Sequence, residues 1–398
     1  MRIALIGPTA PDHDPLARYT RLLHQQLSCT HEVRLYSFTR PHRVCPELAG
    51  RDFGAASIPE CSSLPIIAPL NPITWLKTAL RLRTFQPHVI LFPWYSLIWA
   101  PAFWTVGLLA RIMSHAQIVF LCHRVLSRRV HLGAAGILAR LCTRAAFTAA
   151  HCFIAHTRET QARLAAMLPS ARCVHAPYPH RAGITLTGVA PEAAREAMGV
   201  AGNVLLFFAF ANAHCGLACV LRAMPSILEK IDLTLLVVGA LGKKEHEMRA
   251  LAWQLHVRGS VIFHPRFVPD DQLEPYFAAA DLVALPAAPA TAADIAHIAY
   301  AMRKPVIGPK IPGLCDAIDH GTTGYLVEQD DPAAISDAVA DYFACNRAAE
   351  MRPYLDQVPA KYSWGNIVRA IELLALEAAA SSPQVVPAQD GSVATVSS

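Results

Sequence analysis

The chain has 398 residues, of which 53% are hydrophobic and 16% charged, with a formal net charge of +5 at pH 7. That length allows two or three domains, each large enough to bury its own core. The apolar content excludes a disordered chain. So mild a positive charge gives no ground for nucleic acid as a partner, which would need a clustered basic stripe.

The chain opens on the apolar run MRIALIGP, a strand ending at Gly7-Pro8. Asp14-Pro15 then reads as an N-cap followed by a first helical residue, and a helix is expected from Leu16 to Leu27. The runs HEVRLYSF, VILFP, IVFLCH and CFIAHT follow as strands, separated by helical stretches. Val89 to Ala110 carries no charge and by hydropathy alone is a transmembrane candidate. Pro93 and Pro101 argue instead for a buried strand, an aromatic loop and then a helix. Trp94, Tyr95, Trp99 and Trp104 in this stretch could form an interfacial patch or be buried between helices. Lys77, Arg81, Arg83, Arg111, Arg124, Arg128 and Arg129 give the same half a basic bias. That bias suits an anionic membrane surface, and it equally suits solvated helix faces.

The stretch HAPYPHRAGITLTGVAPEAA is rich in proline and turn residues and is expected to divide two domains near 180–195. A second strand–helix series then runs through LLFF, LTLLVVG, SVIFH, DLVALP, PVIG and GYLV. Near-continuous apolar strands alternating with helices predict α/β domains with parallel sheets covered on both faces. The expected organisation is a Rossmann-like domain over 1–185, a second over 190–362, a helix over 363–379 and a disordered tail over 380–398. The eleven cysteines sit mostly in apolar runs and, with no signal peptide evident, read as reduced thiols of a cytoplasmic protein. Cys215 and Cys219 do not have the spacing of a zinc site.

From Val261 to Val327 the order of strand, charged turn, helix, strand ending at Leu285-Pro286, small-residue loop, helix and strand at Pro305 to Ile307 resembles the donor domain of the family 4 glycosyltransferases. The resemblance runs from the first strand to about Glu377. It implies a GT-B fold, with two doubly wound domains facing across a cleft and a terminal helix crossing back to the first. It also implies retaining hexosyl transfer from a nucleoside-diphosphate sugar to a lipid-linked or polysaccharide acceptor, with no metal and no further cofactor.

The resemblance also marks where donor contacts should stand, and several are altered. A glycine pair after the first strand is replaced by Asp14-Pro15. Two cations before a Gly-Leu pair are replaced by Asn212 and Cys215, although Gly216-Leu217 remains and His214 stands between them. Two carboxylates spaced across the loop Pro286 to His297 correspond to Ala290 and Ile298. The expected helix start there is Ala292-Ala293-Asp294, with Thr291 kept as a hydroxyl. A carboxylate at Asp14 or Asp294 would oppose a phosphate at a helix N-terminus. His123 and His156 end apolar strands on the expected cleft face, as catalytic candidates or as core and cap residues. Asp316 stands where a carboxylate near the donor is usual, or serves the first turn of its own helix. Two readings follow: a transferase with relaxed donor contacts, or a non-catalytic subunit or regulator of glycan assembly. An epimerase of the same fold would need the same phosphate contacts.

Overall fold

The computed structural model describes residues 1–9, 15–39, 63–123, 134–179, 187–209, 216–269, 272–287, 289–311 and 313–381. The first half alternates strand and helix: β1 (Arg2–Ile6), α1 (Pro15–Ser28), β2 (Glu32–Phe38), β3 (Ser63–Ile67), α2 (Pro72–Phe85), β4 (Val89–Trp94), α3 (Ala100–Ser114), β5 (Gln117–Cys122), α4 (Ala134–Phe147), β6 (Cys152–Ala155), α5 (Arg158–Met167) and β7 (Arg172–His175). These strands form one seven-stranded parallel sheet in the order β3-β2-β1-β4-β5-β6-β7. The order reverses between β1 and β4, where an open α/β sheet leaves a crevice at its carboxyl edge.

The second half repeats the plan: α6 (Pro191–Met198), β8 (Asn203–Ala209), α7 (Leu217–Leu228), β9 (Leu233–Gly239), α8 (Glu245–Gln254), β10 (Val261–His264), α9 (Glu274–Ala279), β11 (Leu282–Ala284), α10 (Pro289–Ala301), β12 (Val306–Pro309), α11 (Leu314–Ala317), β13 (Gly324–Val327), α12 (Pro332–Ala344) and α13 (Arg347–Lys361). Its six parallel strands lie in the order β10-β9-β8-β11-β12-β13, with the switch between β8 and β11. At the end of β9 only glycine is possible: Gly239 has φ +117°, and a Cβ there would stand 2.0 Å from the Ala209 carbonyl oxygen. The protein thus consists of two Rossmann-like α/β domains with the GT-B arrangement.

Helix starts follow from local chemistry. Asn71 accepts from the Ile73 N–H at 3.1 Å ahead of Pro72, and Asp331 accepts from the Ala334 N–H at 3.1 Å ahead of Pro332. Helix α2, helix α3 and the end of α4 cover one face of the first sheet. The other face packs against α1 and against the last helix, α14 (Trp364–Ser381). Trp364, Ile367, Ile371 and Leu374 of α14 share a buried cluster with Tyr19, Leu23 and Leu27 of α1. The chain therefore returns to its first domain after completing the second.

The stretch from Val89 is a strand, a short 3-10 turn at Leu97–Trp99, and a helix. Leu97–Ser114 is long and apolar enough to cross a membrane by length and composition. Its inner side is nevertheless core, with Phe103, Val106 and Ala110 fully buried against the sheet. Of the two readings of its aromatics, burial holds for Trp94 and Trp99, which lie in that same core, while Trp104 is substantially exposed. Two strands were not anticipated, β3 and β7, the edges of the first sheet. Arg124, Arg128, Arg129 and the remainder of the tail after Ser381 lie outside the described residues.

Candidate functional site

On the first domain, β5 delivers His123 and β6 delivers His156 at adjacent carboxyl ends, with ring centroids 5.0 Å apart. Tyr19 of α1 stands edge-on to both rings. Tyr178, just beyond β7, packs on His156 with centroids 4.3 Å apart. Trp364 of α14 lies against Tyr19.

His156 is buried and has both ring nitrogens engaged: Nδ1 with the Ala176 carbonyl at 2.9 Å and Nε2 with the Tyr19 hydroxyl at 3.2 Å. Since Ala176 O can only accept, Nδ1 carries the proton and Nε2 accepts from Tyr19. Burial pushes His156 down to about 4, outweighing the Ala176 bond that favours the charged form. His123 Nδ1 is hydrogen-bonded to the Tyr178 hydroxyl, and its Nε2 is covered, with no partner among the described residues. Burial, then the neighbouring His156, holds His123 well below the usual imidazole range. Both rings are therefore neutral at pH 7. Proton transfer through His156 would first require breaking one of its two bonds.

On the second domain, the β8–β11 switch point forms a pocket of about 390 Å³, counting space open to solvent. Gly216, Cys219, Ala284, Leu285, Ala287 and Gly308 form much of its wall, and Glu328 and Asp330 are its charged lining residues. Gly216 has φ +100°, and a Cβ on it would stand 3.1 Å from the Ala287 nitrogen, so the α7 turn closes tightly on the β11–α10 loop. Helix α7 begins at Leu217 with no side-chain cap and no acidic residue in its first turn. The Glu328 carboxylate faces Lys310 Nζ at 2.6 Å, so that lysine is already paired.

Asn212, Cys215, His214 and Asp14 lie outside the described residues. Helix α10 begins at Pro289, three residues before the expected start, which places Thr291 in its first turn and Asp294 in its second. The earlier start follows from Pro289, whose fixed φ suits the first helical position. Asp294 is thereby displaced from the helix terminus where it was expected to oppose a phosphate.

Asp316 lies in the first turn of α11. Its Oδ2 accepts from the backbone N–H of Arg158, the first residue of α5, at 2.7 Å. A carboxylate from the second domain thus meets the positive end of a first-domain helix, two residues after His156. The structure accordingly groups His123, His156 and Asp316 near one interdomain seam, and places Gly216 in the separate pocket at the second switch point. Tyr19, Tyr178, Glu328 and Asp330 were not singled out from the sequence. Among the described residues no group of three or more His, Cys, Asp or Glu is placed to hold a metal ion.

Residues 202–344 match the glycosyl transferases group 1 family. Over that stretch, about a third of its length, the chain is similar to that family. It is 30% identical over 193 residues to a D-inositol 3-phosphate glycosyltransferase of Corynebacterium urealyticum, covering 46% of this chain and 45% of that protein. An uncharacterized glycosyltransferase of Methanocaldococcus jannaschii is 30% identical over 185 residues, covering 44% of this chain and 45% of its own length. These matches therefore span less than half of each relative. Among solved structures, HepE of Anabaena in complex with UDP superimposes with a TM-score of 0.68 at 16% identity, covering 95% of this chain and all of that one. Sucrose-phosphate synthase of Thermosynechococcus elongatus gives 0.63 at 18% identity, covering 96% of this chain and all of that one. The glycosyltransferase-like chain thus has the GT-B fold over nearly its whole length.

Proposed function

We propose that this glycosyltransferase-like chain derives from retaining hexosyl transfer, of the family 4 kind, from a nucleoside-diphosphate sugar to a lipid-linked or polysaccharide acceptor. We further propose that its grip on such a donor is weak and turnover correspondingly impaired. One observation carries this: the described lining of the switch-point pocket contains no Lys or Arg, and its charged members are the carboxylates Glu328 and Asp330. A diphosphate there would gain α7 backbone N–H groups but no cation from that lining, and each charge-assisted contact is typically worth about 1.5–3 kcal/mol. HepE, a neighbour of the same fold, is in complex with UDP, which supports a nucleotide as the ligand class.

Calorimetry with UDP and GDP tests the reading. The expected dissociation constants are weaker than about 100 μM, and low-micromolar binding would refute it. Cys215→Lys is expected to tighten nucleotide binding at least tenfold (~1.4 kcal/mol) if the loss is local. A second reading, a non-catalytic subunit or regulator of a glycan-assembly complex, is favoured by the occupation of both His156 nitrogens and of the Asp316 carboxylate. No hexosyl transfer or donor hydrolysis with a panel of UDP- and GDP-hexoses would support it.

A further inference from the structure

We propose that the outer face of α2, α3 and α4 is a docking surface for an anionic lipid bilayer. The first observation is the distribution of charge. The chain has 30 acidic residues, and none of them lies between positions 61 and 158, a stretch that carries ten Lys and Arg. An ordinary solvated surface mixes both signs. This stretch supplies β3 to β6 and all three helices of the layer.

The second observation is exposed apolar surface on the same layer. Among the described residues, 11 of the 17 large apolar side chains that remain exposed fall between Leu70 and Leu141. Scattered exposed aliphatics need no explanation, but this concentration on one layer does. Ile73 and Leu76 on α2, Leu108 and Ile112 on α3, and Leu138 and Leu141 on α4 all face solvent. The helices lie side by side, α2 against α3 and α3 against α4. Their opposite sides pack on the sheet through Leu82, Phe103, Val106 and Phe147, so their outer sides form one surface. Trp104 Nε1 donates to Thr148 Oγ1 at 3.2 Å, and Arg111 donates to the Thr148 carbonyl at 3.1 Å, which closes the seam between α3 and the end of α4.

Aliphatic side chains among cations, with no carboxylate, match the boundary of an anionic bilayer. The leucines and isoleucines enter the acyl margin while Lys77, Arg81, Arg83, Arg140 and Arg144 sit at headgroup level. A nucleic acid would use the cations but not the exposed aliphatics. Because the inner side of α3 is core, the layer lies on the membrane and does not cross it.

Flotation of the full chain with vesicles tests the proposal. Binding is expected to vesicles of phosphatidylcholine with phosphatidylglycerol at low salt, to weaken at high salt, and to be slight with phosphatidylcholine alone. Ile112→Glu with Leu138→Glu, and separately Lys77→Glu with Arg81→Glu, should each lower the partition coefficient by about tenfold or more. All four side chains are exposed, so the melting temperature should hold and fold loss is separable from binding loss. No flotation with anionic vesicles at low salt, or flotation unchanged in both variants, overturns the proposal. So does binding that survives alkaline carbonate, which would mean insertion. A wild-type dimer that does not float, and that I112E/L138E converts to monomer, would assign the face to a second copy of the chain.

Discussion

At the scale of single residues, the candidate histidines are held by burial in a form that acid disfavours. A His with a lowered folded-state value contributes stability that is present above its ordinary value and lost as pH falls toward the folded one. For His156 that window runs from 6.5 down to about 4. Acidification to pH 4.5 should therefore cost the fold on the order of 2 kcal/mol through this ring. His123 acts in the same direction. Carboxylates such as Glu274, pulled below their ordinary value, lose their contribution mainly below pH 4.5, so most of the loss down to that pH comes from the imidazoles. His156→Gln removes the titrating group while keeping a polar side chain. Urea denaturation at pH 7 and pH 4.5 should show a smaller pH-dependent loss in the variant than in the parent. Equal losses would mean that His156 is solvated or charged in the folded chain.

At the scale of elements, α9 holds the segment between the two sheets. Glu274 is buried, and its two oxygens receive the Thr187 N–H at 2.6 Å, the Thr187 hydroxyl at 2.7 Å, the Gly188 N–H at 2.7 Å and the Val189 N–H at 3.1 Å. Burial by itself would raise this carboxyl, but the four donors together pull it below its ordinary value. Glu274→Gln puts an NH₂ group against backbone N–H groups and should cost about 1–3 kcal/mol. Proteolysis near 187–189 should quicken in the variant, and an unaltered melting curve and cleavage rate would contradict this anchoring. The same scale shows what a sequence can tell. Central strands such as β4 and β8 announce themselves as unbroken apolar runs because neighbours cover both faces. Edge strand β3 does not: Pro65 interrupts it, and only Ile67 of its five residues is fully buried. Edge strand β7 is four residues long and also only partly buried. His123 and His156 could be placed at strand ends, but Tyr19 and Tyr178 reach them from distant segments with no local signal. Arg158 and Asp316 are likewise brought together across 158 positions. On sequence alone the aromatics of the stretch from Val89 stand open between core and interface, because composition cannot distinguish a tryptophan facing a sheet from one facing a lipid.

At the scale of the whole molecule, the two domains are joined by two chain crossings: one between β7 and β8, the other where α13 passes to α14. Tyr362, at the second crossing, stacks on His297 with ring centroids 4.6 Å apart, so this passage is tied to the second domain before the chain leaves it. The return of α14 to α1 has a consequence for how the chain is made. The face of the first sheet formed by Leu5, Leu91, Val119 and Ile154 is completed by a helix translated after the entire second domain. At ordinary synthesis rates, the interval between β7 and Trp364 lasts on the order of ten to forty seconds. Over that interval the nascent first domain presents an uncovered greasy flank to the ribosome's surroundings. A fragment of residues 1–179 should accordingly bind a hydrophobic dye and aggregate. A synthetic peptide of residues 364–381 added in trans should suppress both, whereas a well-behaved fragment indifferent to the peptide would show that the flank can close without it.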